Sequence, residues 1–416
     1  MLSIKTSVLA SLSSSNRPIA MPPWIPSYQT LGTRSLWKRQ SHSALPFPLC
    51  AERTRQYYLG RNALYHGAKA LGLGQGDEIV FPAYHSGTES APLLHMGCRL
   101  KYYGVRRDLE IDLGEIESLI TPATKALYVI HFFGFPAPIA ELRKMADRHG
   151  IYLIEDVALS LLGRAGDRPL GSWGDVSIFC LYKSVPTAAG GILAVNRNDV
   201  ELPPLPLRSS FYSELNLTVK HALNHLELHG GRAGLALRRL IEWPCRAVVR
   251  RSKLAVDCPD SLDFDPALID WNMGPITRWL IRRFDYRRIA LRRRENYQWL
   301  VRRLANTDVA VLREELPQGA VPLFLPVLVK DKFPTIERFH AAGIDAIGVW
   351  GIHHPHLPRG EFPDVEFLVD HLIEIQIYQD LTEEHLERIA EAMVDLASWP
   401  GLDRSPQRST RVELAV

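Results

Sequence analysis

Between Tyr57 and Asn198, short apolar runs alternate with amphipathic stretches of helical spacing, and this alternation limits what the 416-residue chain can fold into. The runs are Glu78–Phe81, Ala126–Ile130, Tyr152–Ile154, Val176–Cys180 and Gly191–Val195. Helices are predicted between them over Asn62–Leu71, Ser86–Gly97 and Pro138–His149. Strands separated by helices form a largely parallel sheet covered on both faces, so this part reads as a large α/β/α lobe.

The length predicts a second, smaller lobe. Residues 1–50, rich in Ser and Pro, read as an extended arm. The large domain occupies 51–275, with 203–275 irregular and a basic insertion at 211–270. An Arg-rich linking helix is expected over Ile276–Ala305. A small α+β domain at 306–400 follows, then a tail at 401–416. Its predicted elements are a strand Val321–Val329, a helix Pro334–Ala342 and a last helix Thr382–Ser398. Asp380 or Thr382 caps that last helix, with Glu383 and Glu384 in its first turn.

A net charge of +3 does not point to nucleic acid. The five cysteines show no Cys-x-x-Cys spacing, which argues against zinc or a disulfide framework and fits a reducing, cytoplasmic compartment. No apolar run approaches the length of a membrane span. The first fifteen residues lack a small-residue cleavage pattern, and Met21 is an alternative start.

Three landmarks carry chemistry. Gly60-Arg61-Asn62 opens a helix, whose N-terminal N–H groups and dipole suit a phosphate; a simple helix cap looks the same. Asp156, in Ile154-Glu155-Asp156, ends a core strand where open α/β sheets bind ligands, and there it can hold a pyridinium nitrogen protonated. A turn or cap Asp has the same position. Lys183 follows the strand run ending at Cys180 and precedes Gly190-Gly191. A lysine walled off from water is primed for Schiff-base chemistry, whereas most lone lysines are surface residues. No landmark is decisive alone, but together they fall in the order and spacing that a pyridoxal-phosphate (PLP) site requires.

With these landmarks the chain resembles the DegT/DnrJ/EryC1/StrS aminotransferases. The resemblance is carried by Ala70–Gly87, His131–Gly163 and Ile375–Met393, and by a lysine seven residues before a Gly-Gly pair. It implies the fold-type-I, aspartate-aminotransferase-like PLP transferase fold. It also implies a homodimer and transfer of an amino group from a donor such as L-glutamate to a nucleotide-linked keto sugar. The implied catalytic residues are Lys183, which forms the Schiff base and shuttles a proton, and Asp156, which pairs with the ring nitrogen. Gly60, Arg61 and Asn62 lie where the phosphate is held. The family's stacking aromatic falls near Pro82-Ala83-Tyr84-His85-Ser86, making His85 the candidate although Ser86 aligns better. The family's Arg-Asn-His loop, which reaches a partner subunit's phosphate, reads Arg208-Ser209-Ser210, so Ser209 joins the cofactor set. Two further positions depart: Leu159 replaces the Gln that contacts the cofactor hydroxyl, and Ile178 replaces a Ser.

Residues 208–303 hold nineteen Lys or Arg against ten Asp or Glu. A solvated helix face accounts for Arg278–Arg303. Arg246, Arg250, Arg251 and Lys253 beside Trp243 also suit a diphosphate or an anionic membrane surface. His353, His354 and His356 sit between prolines without obvious carboxylate support, which favours substrate contact or plain surface over metal. Two other readings stay open: a fold-type-I enzyme acting on amino acids, with Arg338 or Arg359 for a carboxylate, and a non-catalytic regulatory protein.

Overall fold

The computed structural model describes residues 23–32, 41, 45–205, 209, 211–251, 264–351 and 353–402, without the side chains of 212, 213 and 242–251. Met21, Arg208, Ser210, Lys253 and residues 403–416 lie outside the described residues.

A seven-stranded sheet forms the centre. Its strands are β1 (Thr54–Tyr57), β2 (Glu78–Pro82), β3 (Arg99–Tyr103), β4 (Thr124–Ile130), β5 (Tyr152–Asp156), β8 (Val176–Cys180) and β9 (Gly191–Val195). The short strands β6 (Arg164–Ala165) and β7 (Arg168–Pro169) pair only with each other. The sheet order is β1-β9-β8-β5-β4-β2-β3. Strands β3, β2, β4, β5 and β8 run parallel, while β9 is antiparallel to both β8 and β1. Five of the seven strands therefore point their carboxyl ends to one edge, and β1, antiparallel to β9, ends there too. Helices α1 (Gly60–Ala70), α2 (Ser90–His95), α3 (Leu113–Leu119), α4 (Ile139–His149) and the single turn α5 (Leu181–Ser184) follow strands of this sheet. Strands β4, β8 and β9 are almost wholly buried, as expected of strands covered on both faces.

Gly190 and Gly191 close this core. Gly190 has φ 134°, and a Cβ on Gly191 would lie 2.0 Å from the Leu59 carbonyl oxygen. The chain entering β9 passes directly against the turn between β1 and α1, so only glycine fits.

Two expectations are corrected. Residues 211–251 are not irregular but helical, α6 (Phe211–Arg251), broken at Gly231 (φ 54°, ψ −132°) into two arms that fold back on each other, so that Arg238 reaches Asn224 and Glu227. The carboxylate of Glu214 fixes it by accepting from the N–H groups of Gly274, Ile276 and Thr277. The linking helix is two helices, α7 (Pro275–Leu280) and α8 (Tyr286–Leu304), because the side chain of Asp285 accepts from the Arg288 N–H and starts a new helix.

The C-terminal part is an antiparallel sheet of order β10-β11-β13-β12, formed by β10 (Ala310–Val311), β11 (Phe324–Leu328), β12 (Ile347–Gly348) and β13 (Leu372–Gln376). Helices α9 (Lys332–Ala341), α10 (Pro363–His371) and α11 (Glu383–Leu396) accompany it. Thr382 caps α11 through a reciprocal capping box with His385, an arrangement worth about 1 kcal/mol. Residues 24–27 of the N-terminal arm pack on this region of its own chain, while Phe47 packs on Phe179 of the central sheet. Ile25 is buried, bonds to Gly343 and Asp345, and bridges to Ile344. Among the described residues, no helix is long and apolar enough to cross a membrane.

Candidate active site

The carboxyl ends of the strands converge on a pocket of about 540 Å³, counting its open mouth. Strand register decides which side chains enter it. Tyr128 pairs with Ile154, Ile130 with Asp156, and Asp156 with Ile178, so one face of the sheet presents Tyr128, Ile130, Asp156, Ile178 and Cys180. Residues from the loops and helices complete the wall: Leu59, Gly60, Arg61 and Leu64 from the start of α1, and Ser86, Thr88 and Glu89 from the turn after β2. Leu159, Tyr182, Lys183 and Trp350 also line it.

Asp156 is buried. One oxygen accepts from the Tyr128 hydroxyl at 2.6 Å and the other from the Ala158 N–H at 2.8 Å. Burial, and then the charge of Glu89, push its carboxyl up from the ordinary range, while Tyr128, Ala158 and Lys183 pull against them. Glu155 lies on the opposite face. Its oxygens accept from the N–H groups of Gly171, Trp173 and Gly174, and His131 Nε2 lies 3.0 Å away. His131 Nδ1 accepts from the Ala137 N–H, so the neutral ring carries its proton on Nε2 and donates to Glu155.

The lysine is anchored through its neighbours. Gln29 donates to the Tyr182 carbonyl at 2.7 Å, and Arg293 donates to the Ser184 carbonyl at 3.2 Å and to Leu323. Arg293 and Gln29 also bond to each other. The carbonyls of both residues flanking Lys183 are thus held from distant parts of the chain.

At the start of α1, the capping residue Leu59 makes no side-chain cap bond. A Cβ built on Gly60 meets nothing nearer than 3.5 Å, the Cys180 sulfur, so protein packing does not require glycine there. Asn62 is placed differently from the expectation. Its amide donates to the carbonyls of Leu268 and Ile269, and the residue does not line the pocket. It ties α1 to the segment before α7.

His85 also departs from its expected place: Ser86 enters the pocket, whereas His85 lines a second cavity. The ring turns away because its Nδ1 accepts from the Gly87 N–H at 3.0 Å. Ser209 is exposed and lines neither cavity. Leu159 and Ile178 do face the first pocket, making that wall apolar. The sequence reading missed Tyr128, Glu89 and Trp350. Glu89 lies within a stretch expected to be helical, but it precedes α2 and folds back to accept from the N–H and hydroxyl of Ser86 and the hydroxyl of Thr88. Burial alone would push its carboxyl up, but His85 and the Ser86 donors outweigh burial and hold it below the usual range. Among the described residues, no group of three or more His, Cys, Asp or Glu side chains is arranged to hold a metal.

The result is an α/β fold, a doubly covered, mostly parallel sheet with a lysine and a buried aspartate at its carboxyl edge. Residues 60–203, which carry both side chains, match the DegT/DnrJ/EryC1/StrS aminotransferase family. The chain is 31% identical over 133 residues to a UDP-N-acetyl-3-dehydro-alpha-D-glucosamine 3-aminotransferase of Acidithiobacillus ferrooxidans, covering 32% of this chain and 36% of the relative. It is 29% identical over 140 residues to a GDP-perosamine synthase of Vibrio cholerae, covering 33% and 38%. The chain thus spans little more than a third of the length of these curated relatives. The fold extends further: the PLP-form of the sugar aminotransferase candidate Spr1654 from Streptococcus pneumoniae superposes with a TM-score of 0.61 at 16% identity, covering 95% of this chain and 96% of that one.

Proposed function

We propose that the protein is a PLP-dependent aminotransferase that moves an amino group from an amino acid such as L-glutamate to a nucleotide-linked keto sugar in polysaccharide or secondary-metabolite synthesis. The observation carrying this reading is one pocket that joins Lys183, Asp156 and the uncapped start of α1. The relatives' activities on UDP- and GDP-linked sugars support the choice of acceptor.

The residues fit the cofactor. Asp156 already accepts two hydrogen bonds and is raised by burial, so a cationic ring nitrogen is a natural further partner for its carboxylate. The side-chain-free position of Gly60, the first-turn N–H groups and Arg61 suit the phosphate. When bound, PLP supplies an electrophilic carbon and a ring that accepts electron density. Lys183 would hold it covalently and, once released, would carry a proton at Nζ between the substrate carbon and the cofactor. Tyr128 and Ala158 fix the orientation of Asp156. Leu159, Ile178, Leu64 and Ile130 exclude water around the reacting atoms.

A homodimer is part of this reading. Phe211, Leu215 and Val219 are exposed at four-residue spacing along α6, with Leu226 further on, a stripe suited to a second copy. The thiols of Cys50, Cys98 and Cys180 are free, which fits a cytoplasmic enzyme.

The test is the visible absorption spectrum after adding PLP and then L-glutamate. A band that forms and bleaches supports the assignment. Steady-state transamination surviving in Lys183→Ala sinks it.

A further inference from the structure

Beside the lysine pocket lies a second, open cleft of about 330 Å³ counting its mouth, built by the turn after β2 and the loop and helix around residues 353–369. The turn lies between the two spaces, with Ser86 lining one and His85 the other. His85 is 5% exposed, and its Nε2 has no hydrogen-bond partner. Since Nδ1 accepts from Gly87, the neutral ring carries its proton on Nε2. A buried N–H donor without an acceptor is unfavourable, and a ligand acceptor atom would satisfy it. His354 stands next to it, with ring centroids 4.8 Å apart and its own Nδ1 buried and unpartnered.

The rest of the wall narrows the ligand. Leu357, Val365 and Val369 are apolar, and the exposed Arg359 places a cation at the rim. The wall's own carboxylate, Glu366, accepts from the Gly360 N–H, and His353 is paired with Asp370. A donor at the base, hydrocarbon walls and a guanidinium at the rim match a short aliphatic carboxylate. A bare phosphate would leave the hydrocarbon unused, and the absence of a metal-binding arrangement among the described residues argues against a cation.

We propose that this second cavity is a carboxylate subsite, receiving the distal carboxylate of the amino-acid donor through His85, His354 and Arg359. The assignment of the donor rests on the aminotransferase reading; the carboxylate chemistry does not.

Calorimetric binding of glutarate to the full-length chain without cofactor tests the cavity by itself. Arg359→Gln, at an exposed position, and His85→Phe are each expected to weaken glutarate binding at least tenfold, with Arg359→Gln melting like the unmodified protein. Equal affinity in all three proteins overturns the subsite, as does no glutarate binding at all. Tighter binding of inorganic phosphate than of glutarate, lost in the same variants, overturns the carboxylate assignment. The second measurement is the rate at which L-glutamate and L-norvaline bleach the PLP-loaded protein. Arg359→Gln is expected to lower kcat/KM for glutamate at least tenfold and leave that for norvaline unchanged. Glutarate binding lost with glutamate bleaching intact overturns the donor assignment. Failure of any band to form refutes the aminotransferase reading and, with it, the donor's identity.

Discussion

Glu155 and Asp156 are adjacent in the chain, yet their carboxylates are buried on opposite faces of the central sheet. Glu155 is enclosed by backbone N–H groups and His131, whereas Asp156 faces the lysine pocket with Tyr128 on one oxygen. Strand alternation separates a carboxylate tied into the fold from one that opens on the pocket. Glu155→Gln is expected to destabilise the fold by about 2–3 kcal/mol, because its amide cannot accept all the bonds the carboxylate does. Asp156→Asn is expected to leave the melting temperature nearly unchanged and to cut turnover about a hundredfold. Thermal unfolding and single-turnover kinetics on both variants check the separation, which fails if the two lose the same property.

The Tyr128 hydroxyl is the nearest donor to the reactive side of Asp156. Tyr128→Phe removes a bond to a carboxylate, an interaction of about 1.5–3 kcal/mol, so PLP affinity should fall about tenfold or more. A cofactor titration followed by absorbance measures it, and an unchanged dissociation constant would show that Tyr128 does not support the ring partner.

Two glycines should behave oppositely. In Gly191→Ala the new methyl would press on the Leu59 carbonyl, costing about 3 kcal/mol or more. In Gly60→Ala the methyl meets only ordinary contacts, so the protein should melt normally but bind PLP about tenfold more weakly. Equal melting losses in both would remove the argument that Gly60 is kept open for a ligand.

Lys332 gives a pH signature. Its ammonium donates to the carbonyls of Val349 and Val369, yet burial pulls the group down to about 7. The unfolded chain, with an ordinary lysine near 10.5, binds more protons than the folded one between these two values. Stability should therefore rise with pH through that window, and Lys332→Met should flatten the rise. Urea unfolding at pH 7 and 9 tests this; an identical slope in both proteins would rule Lys332 out as its source.

Much of the large lobe was legible because β4, β5, β8 and β9 are apolar runs buried on both faces. The placement of Asp156 and Lys183 at the pocket was legible because each lies at the carboxyl end of such a run. Asn62 and His85 were misplaced for a different reason. The direction of Asn62 is set by the carbonyl of Leu268, 206 residues away, and that of His85 by a bond within its own turn. The helix α6 escaped because its apolar residues divide between a buried set, Leu223, Leu228 and Leu235, and the exposed stripe, with Gly230-Gly231 interrupting the period. Trp350 enters the pocket from a backbone at φ 38°, a conformation no pattern of residue types announces for tryptophan.

Every conspicuous motif of the pocket lies between Leu59 and Gly191, but the bonds from Gln29 and Arg293 to the carbonyls of the residues beside Lys183 come from outside that span. A fragment cut to the motif-bearing region would keep Asp156 and Lys183 and lose the mooring of the lysine. The segments around residues 29 and 293 therefore belong to the lysine's setting, and a ribosome-bound precursor still lacking residue 293 would hold Lys183 by one tie fewer however well its first sheet had formed.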